Sequence, residues 1–238
     1  MSPQLVSNVC QTGIREDNMN YIYCARRSLA QIPIFSKNNV VYDELVLTDN
    51  RIRRLEAASF ARIKVKKIYL NGNPISHIDE KAFAKLENHL EELWLDAEVI
   101  TTSDTTETES LSSGVPSSIV NYLRNLNTLR LKGLQIKTLG DAVFRKLKKL
   151  QILSMQFCSI QHIDANAFDG LSQSILELYL DGNLLQSIPT EALMNAAFTS
   201  LKILGLSQNN IKIISSNSFG LVTSLDYFNQ IEEQERIG

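Results

Sequence analysis

The sequence predicts an α/β solenoid, a curved horseshoe with a parallel β-sheet on its concave face and short helical or irregular segments on its convex side. Three observations predict this fold class. One apolar frame recurs six times, at intervals of 23 to 26 residues wherever two copies are adjacent. Within each copy, apolar residues two apart indicate a short strand with one buried face. A phenylalanine follows at a fixed distance, which predicts a buried stack on the convex side.

The frame reads apolar-x-x-apolar-x-apolar-x-x-Asn-x-apolar-x-x-apolar, with the phenylalanine five residues further on. Its copies begin at Tyr42, Val65, Leu126, Leu150, Ile175 and Leu201. The turn asparagines are Asn50, Asn73, Asn183 and Asn209. Such an amide can bond backbone groups of the neighbouring repeat, which a buried turn requires. The phenylalanines are Phe60, Phe83, Phe144, Phe168 and Phe219. No single repeat can bury its own apolar face, so stacked repeats must supply the core.

This frame resembles the leucine-rich repeat family, from Leu29 to about Leu225. The resemblance implies an N-terminal cap over residues 1–40, about seven repeats over 41–225, and a degraded or truncated last repeat over 226–238. The stretch from Leu171 to Leu193, which contains "LELYLDGN", is similar to repeats of chaoptin-like invertebrate proteins. Members of that group act in cell adhesion, extracellular matrix and receptor ectodomains, so the resemblance implies a role of this kind.

The third repeat contains an insertion of polar residues. After "LEELWLD", the next in-frame strand begins only at Leu126, although one repeat needs about 24 residues. The Val-Pro at 115–116 aligns with the Ile-Pro at 188–189, so the excess lies before it, over 101–114. Thr, Ser, Glu and Asp dominate this stretch, which predicts a mobile loop inside one repeat and not a boundary between two domains. The alignment gives Val120 the position of the phenylalanine.

Two of the three cysteines lie near the N-terminus. The stretch "YIYCARRSLAQIP" is similar to the end of the N-terminal cap of extracellular leucine-rich repeat proteins, where a Cys precedes Leu-x-x-Ile-Pro. The resemblance implies a disulfide between Cys10 and Cys24, although such caps usually carry four cysteines. The alternative is two free thiols in a cytosolic protein, where disulfides are rare. Cys158 stands at the Asn position of its repeat, and we expect it to be a buried structural thiol.

Composition and motifs exclude several classes of function. A net charge of −2 and an apolar content of 44% favour a soluble folded protein and argue against a general nucleic-acid binder. No apolar run reaches the roughly 18 to 20 residues of a membrane span. The chain has no HExxH, P-loop, GxGxxG or CxxC motif, so we expect no catalysis, no cofactor and no metal site. Two basic runs, "ARIKVKK" and "FRKLKKL", are expected to be solvated faces, with polyanion binding as the alternative.

Binding is expected on the concave face, where the residues between the strand leucines point outward. The central column reads Val46, Tyr69, Trp94, Arg130, Ser154, Tyr179 and Gly205. The outer column reads Thr48, Asn71, Asp96, Lys132, Gln156, Asp181 and Ser207. The candidate partner-binding residues are Tyr69, Trp94, Arg130, Tyr179, Asp96, Lys132 and Asp181. Tyr, Trp and Arg commonly anchor interfaces, and Trp94 is expected to be exposed. Two alternatives stay open: the aromatics are generic to such strands, or the partner uses the edges, the insertion or the convex side.

The sequence therefore favours a non-catalytic protein-binding module, extracellular or at the cell surface, whose partner is a protein ligand or receptor. An intracellular scaffold and an accessory subunit of an enzyme complex are the alternatives. The implied bridge between Cys10 and Cys24 favours the extracellular module. The start "MSPQLVSNVCQ", which lacks the pattern of a secretory signal, and the absence of any Asn-x-Ser/Thr site weigh against it. We expect the chain to be a fragment that lacks its signal and its anchor, and its C-terminal end to be either truncated or covered by something else.

The insertion should be dispensable for folding. We expect limited proteolysis to cut first between Thr101 and Gly114, because polar loops are the preferred sites of nicking. Deletion of Thr101 to Ser112 should change the melting temperature little, because the entropy of loop closure depends only weakly on length. A deletion variant that fails to fold would show that the alignment of Val115 with Ile188 is wrong.

Overall fold

A computed structural model describes residues 6–36, 40–57, 59–97, 114–212 and 227–229 of the chain. They form a solenoid of about seven turns, here called coils, whose strands line up in one sheet, and this confirms the predicted fold class. Strands are numbered along the chain. The described strands of this sheet are, in spatial order, β1 Gln11–Ile14, β2 Asn20–Tyr23, β3 Val41–Val46, β5 Lys64–Tyr69, β7 Glu92–Asp96, β8 Thr128–Lys132, β10 Ile152–Gln156, β12 Glu177–Tyr179, β13 Ile203–Gly205 and β14 Tyr227–Asn229.

The concave sheet is parallel along the repeats and begins with an antiparallel hairpin. β1 pairs with β2 in antiparallel fashion, and each later strand pairs with its neighbours in parallel. β7 shows why the repeat frame produces this sheet. Leu93 and Leu95 are completely buried, whereas Glu92, Trp94 and Asp96 lie on the other face. Because successive side chains of a strand alternate, the leucines enter the core and the residues between them form the concave surface.

The convex side consists of short elements. Two short parallel pairs lie there: β4 Arg54–Leu55 with β6 His77–Ile78, and β9 Thr138–Leu139 with β11 His162–Ile163. The described helices are α1 Val6–Val9, α2 Ser117–Tyr122 and α3 Thr190–Ala196. α2 and α3 each begin directly after a proline, Pro116 and Pro189. Proline is tolerated at a helix start because the first N–H groups of a helix have no partner within it.

The coil that contains the insertion is closed by α2. β7 and β8 are direct neighbours in the sheet, although more than thirty residues of sequence separate them. The prediction that Val120 takes the phenylalanine position is wrong. Val120 is only partly buried, whereas Ile119 is completely buried. Because this stretch is helical, the adjacent side chain is the one that turns into the core. Apart from Gly114, the predicted insertion lies outside the described residues.

The predicted phenylalanine stack is confirmed where the structure describes it. Phe60, Phe83, Phe144 and Phe168 are completely buried. The rings of Phe60 and Phe83 stack with centroids 5.4 Å apart and planes at 8°. Phe198, which the frame did not single out, packs against Phe168 at 5.9 Å. Phe219 lies outside the described residues. The spine buries large aromatic area on the side of the solenoid opposite the sheet.

The turn asparagines join each coil to the one before it. The Oδ1 atom of Asn183 accepts hydrogen bonds from the backbone N–H groups of Cys158 and Ile160, both at 3.0 Å. Its Nδ2 atom donates to the carbonyl oxygens of Met155 and Leu180, both at 2.8 Å. Asn50, Asn73 and Asn209 make equivalent bonds. These amides satisfy buried backbone groups that water cannot reach.

This asparagine ladder is interrupted in the middle of the solenoid, where the same position holds Leu134 and Cys158. Cys158 is a completely buried free thiol, as predicted. Its Sγ lies 3.4 Å from the carbonyl oxygen of Gln156 and 3.5 Å from that of Leu131. Burial raises the pKa of the thiol to about 12, although hydrogen bonds from the Leu134 and Gly133 N–H groups act in the opposite direction. Cys158 thus acts as a weak substitute for asparagine.

Cys10 and Cys24 form a disulfide, which confirms the bridge implied by the family resemblance. Cys10 lies between α1 and β1, and Cys24 directly follows β2. Cys24 is completely buried beside the core residue Ile22. The bridge therefore fastens the N-terminal segment to the start of the repeat core.

Restoring the missing rung of the ladder should stabilise the fold. We expect Cys158→Asn to raise the free energy of unfolding by about 1 kcal/mol, because an amide is a stronger donor and acceptor toward the same backbone groups. Cys158→Ala should lower it by about 1–2 kcal/mol, because it leaves those groups unpaired. Unfolding in denaturant measures both changes, with Asn183→Ala as the reference for losing a complete rung. A Cys158→Asn variant less stable than Cys158→Ala would contradict this account.

Candidate functional site on the concave sheet

Three of the predicted site residues form one packed stack. Tyr69, Trp94 and Arg130 lie on the adjacent strands β5, β7 and β8 and are direct partners in the sheet register. The rings of Tyr69 and Trp94 meet edge to face, with centroids 5.2 Å apart and planes at 84°. The Cζ atom of Arg130 lies 4.9 Å from the centre of the Trp94 ring. Edge-to-face pairs and cations over indole rings are both favourable geometries.

The prediction that Trp94 is exposed is wrong: the side chain lies on the concave face as expected, but it is half-buried there. Tyr69 covers it from one side and Arg130 from the other. Its Nε1 atom donates a hydrogen bond to Glu92 Oε1 at 2.7 Å. The repeat frame correctly predicts the face on which Trp94 lies, but it does not predict that Tyr69 and Arg130 on the neighbouring strands pack against it.

Two glutamates missed at the sequence level hold the aromatic side chains. Glu92 accepts the hydrogen bond from Trp94, and Glu177 Oε2 accepts one from the hydroxyl of Tyr179 at 3.0 Å. Each glutamate precedes its aromatic residue by two positions, so both point to the same face of the strand. Lys67 Nζ lies 3.7 Å from the other oxygen of Glu92. The repeated pattern Glu-Leu-aromatic, "ELW" and "ELY", is the sequence signal that could have found them.

The phenols of the site resist ionisation. Burial, followed by the charges of Glu92 and Glu44, raises the pKa of Tyr69 to about 12. Burial and the hydrogen bond to Glu177 also raise the pKa of Tyr179. Both side chains therefore carry their proton at neutral pH.

Tyr179 is separated from the stack by one strand. Ser154 on β10 lies between Arg130 and Tyr179 in the register and is buried. Two strand spacings amount to about 10 Å, so Tyr179 is a neighbour of the stack and not a member of it. At the other end of the column, Tyr23 on β2 pairs in register with Val46 and is exposed, and the sequence prediction did not include it.

The outer column contains side chains that are already engaged. Asp181 is buried; Gln156 Nε2 donates to its Oδ2 atom at 3.1 Å, and Ser207 N–H donates to its Oδ1 atom at 2.9 Å. Asp96 is half-buried and accepts a hydrogen bond from Gly72 N–H at 3.0 Å. These carboxylates have clear structural partners, so their predicted role in binding has less support than that of the stack.

Lys132 is the exposed member of the outer column. Its Nζ atom lies 5.3 Å from the centre of the ring of Phe157, which is itself exposed at the rim of the sheet. Phe157 was missed at the sequence level, because the frame marks it only as a turn residue. It has a φ of 55°, an unusual conformation for a bulky side chain. Lys132 and Phe157 thus extend the candidate surface to one edge of the sheet.

Within the described part of the chain, no group of three or more His, Cys, Asp or Glu side chains is placed to hold a metal ion. None of the helices described there, the longest of which has 7 residues, could span a bilayer.

Known proteins share the repeat frame. The profile of the family described as "Leucine rich repeat" matches residues 43–100, 124–178 and 173–229. Lumican of Mus musculus is 29% identical over 204 residues, which cover 68% of this chain and 56% of lumican. Mimecan of Homo sapiens is 29% identical over 217 residues, 91% of this chain and 57% of mimecan. Biglycan of Xenopus laevis is 30% identical over 138 residues, 49% of this chain and 35% of biglycan.

The chain spans a little over half the length of the first of these relatives. The relatives do not support the expected likeness to chaoptin-like invertebrate proteins.

Trp94→Ala should destabilise the fold less than Leu95→Ala. Loss of the edge-to-face pair and of the cation–π contact should cost about 1–2 kcal/mol. Leu95 is completely buried, and truncation of such a leucine to alanine costs about 2–5 kcal/mol. Urea unfolding followed by circular dichroism gives both values without relying on the single tryptophan. If Trp94→Ala proved at least as costly, the side chain would belong to the core and the assigned register would fail.

Proposed function

We propose that this chain, which belongs to the leucine-rich repeat family, is a non-catalytic module that binds a protein partner on its concave face. The relatives lumican, mimecan and biglycan are extracellular matrix proteins, which supports a place in the matrix or at the cell surface. The disulfide between Cys10 and Cys24 supports the same place, because such bonds persist in oxidising compartments.

The stack of Tyr69, Trp94 and Arg130 is the observation that carries this proposal. The leucines on the opposite face of the strands already fill the core, so folding does not require large aromatic side chains at these positions. Trp, Tyr and Arg are the residue types most enriched where truncation weakens an interface. The stack also fixes the three side chains before binding, which lowers the entropy lost when a partner binds.

The charges around the stack indicate what the partner should present. Glu44 is paired with Arg15 at 2.7 Å, and Glu92 is engaged by Trp94 and Lys67. Arg130 and Lys132 lie on one strand, β8, and make no ion pair with a described residue. We therefore expect the partner to place an apolar side chain on Trp94 and an acidic one near β8.

Polyanion binding by the two basic runs has less support. Five of the eight basic side chains of these runs have polar partners on neighbouring coils. Those partners are Asp43 for Lys66, Glu92 for Lys67, Asp169 for Arg145, Asn121 for Lys146 and Asn125 for Lys149. Exposed pairs of this kind contribute little to stability, but they leave fewer free cations for a polyanion.

The intracellular scaffold and the accessory subunit of an enzyme complex are the alternatives, and the state of the cysteines distinguishes the first of them. Protein made in a secretory host should lose two hydrogens in a non-reducing intact-mass measurement, mapped to Cys10 and Cys24. Two reduced thiols at these positions would favour the intracellular scaffold.

Trp94→Ala should weaken partner capture without unfolding the chain. Wild type, Trp94→Ala and Arg130→Gln are immobilised and exposed to a soluble extract of extracellular matrix, with Tyr122→Ala on α2 as the aromatic control. A protein retained by wild type and by the control is then purified, and its affinity is measured for each variant. We expect Trp94→Ala to cost about 2 kcal/mol, roughly a thirtyfold loss of affinity. Equal affinity for folded Trp94→Ala would place the binding site at the edges, the insertion or the convex side.

A further inference from the structure

A groove lies between the N-terminal cap and the first repeat, outside the concave sheet. Its volume is about 490 Å³. Cap residues from 30–35 form one wall, and first-repeat residues drawn from 53–62 form the other. Small-molecule sites in proteins commonly measure about 300–1,000 Å³, so the groove is large enough for a ligand.

The floor of the groove is apolar. The cap stretch "QIPIF" contributes Ile32, Ile34 and Phe35, and Ala61 lines the opposite wall. Ile32 and Phe35 are buried members of the core, Ile34 is half-buried, and Ala61 is exposed at the rim. The apolar surface that a ligand could remove from water is therefore mainly that of Ile34 on one wall and Ala61 on the other.

The rim of the groove is positively charged. Three arginines line it, Arg53, Arg54 and Arg62, against one acid, Glu56. Arg54 Nε is paired with Glu56 Oε1 at 2.9 Å. Neither Arg53 nor Arg62 makes an ion pair or a side-chain hydrogen bond to a residue that the structure describes. These two guanidinium groups are thus available to an anion, and guanidinium binds carboxylate or sulfate oxygens through paired N–H groups.

We propose that this groove binds a small amphipathic anion. Its acyl or aryl body rests on Ile32, Ile34 and Phe35, and its carboxylate or sulfate group is held by Arg53 and Arg62. A fully polar anion leaves the apolar floor uncovered, and a neutral apolar molecule leaves the arginines without an acceptor. The site shares no residue with the concave stack, so it stands independently of the proposed partner-binding face.

Decanoate, used below its micelle-forming concentration, is the probe. Isothermal titration calorimetry measures its affinity for the whole chain, and methyl signals of Ile32 and Ile34 report where it binds. Decyl sulfate should bind as decanoate does. Decanol has the same chain without the charge, and we expect it to bind about tenfold more weakly, the value of one charge-assisted contact.

Variants separate the charge from the apolar floor. Arg53→Gln combined with Arg62→Gln should weaken decanoate binding about tenfold or more. Arg27→Gln combined with Arg51→Gln removes the same charge from exposed positions outside the groove and should leave binding unchanged. Ala61→Phe should fill the groove and block both decanoate and decanol. Trp94→Ala should not affect either ligand.

Three outcomes would overturn the proposal. The first is no heat and no methyl shift with decanoate or decyl sulfate. The second is unchanged decanoate affinity in the Arg53→Gln, Arg62→Gln variant. The third is equal affinity for decanol and decanoate, which would reduce the groove to an apolar surface without anion selectivity.

Discussion

The buried backbone of each turn must find its hydrogen-bond partners in an adjacent coil, and the rest of the structure depends on this constraint. An amide such as that of Asn183 satisfies two N–H groups of the preceding coil and a carbonyl oxygen in each of the two coils. These bonds tie one coil to the next where the amide is present. In the coil of Arg130, where Leu134 stands in its place, the backbone pairing of β7 with β8 joins the coils instead, and the sheet register brings Tyr69, Trp94 and Arg130 into one row.

The side chains of the candidate site are therefore held by contacts with neighbouring side chains on the same face of the sheet, and not by the core beneath the strands. Trp94 gains its burial from Tyr69 and Arg130 and its orientation from Glu92. The outer column shows the same kind of contact between strands: Asp181 accepts hydrogen bonds from Gln156 in the preceding coil and from the Ser207 N–H in the following one. A column position is thus open to a partner only to the extent that its neighbours leave it uncovered.

Three periodic features could be predicted from the sequence because the same residue pattern recurs in every repeat. They are the inward leucines, the phenylalanine spine and the face on which Trp94 lies. Features that depend on unique neighbours could not. The burial of Trp94 follows from the size of Tyr69 and the reach of Arg130. Ile119 replaces Val120 because a helix closes that coil. The groove beside Arg53 and Arg62 arises where the cap meets a repeat, so no repeat pattern describes it.

The interrupted asparagine ladder also has a mechanical consequence. Leu134 offers no side-chain hydrogen bond at its turn, and Cys158 offers only weak ones. Elastic stiffness against bending should therefore vary along the solenoid, with its softest joints in the middle. Arg130 is carried by β8, in the same coil as Leu134. The part of the concave surface near β8 should therefore bend more easily than the parts whose turns hold Asn50, Asn73, Asn183 and Asn209.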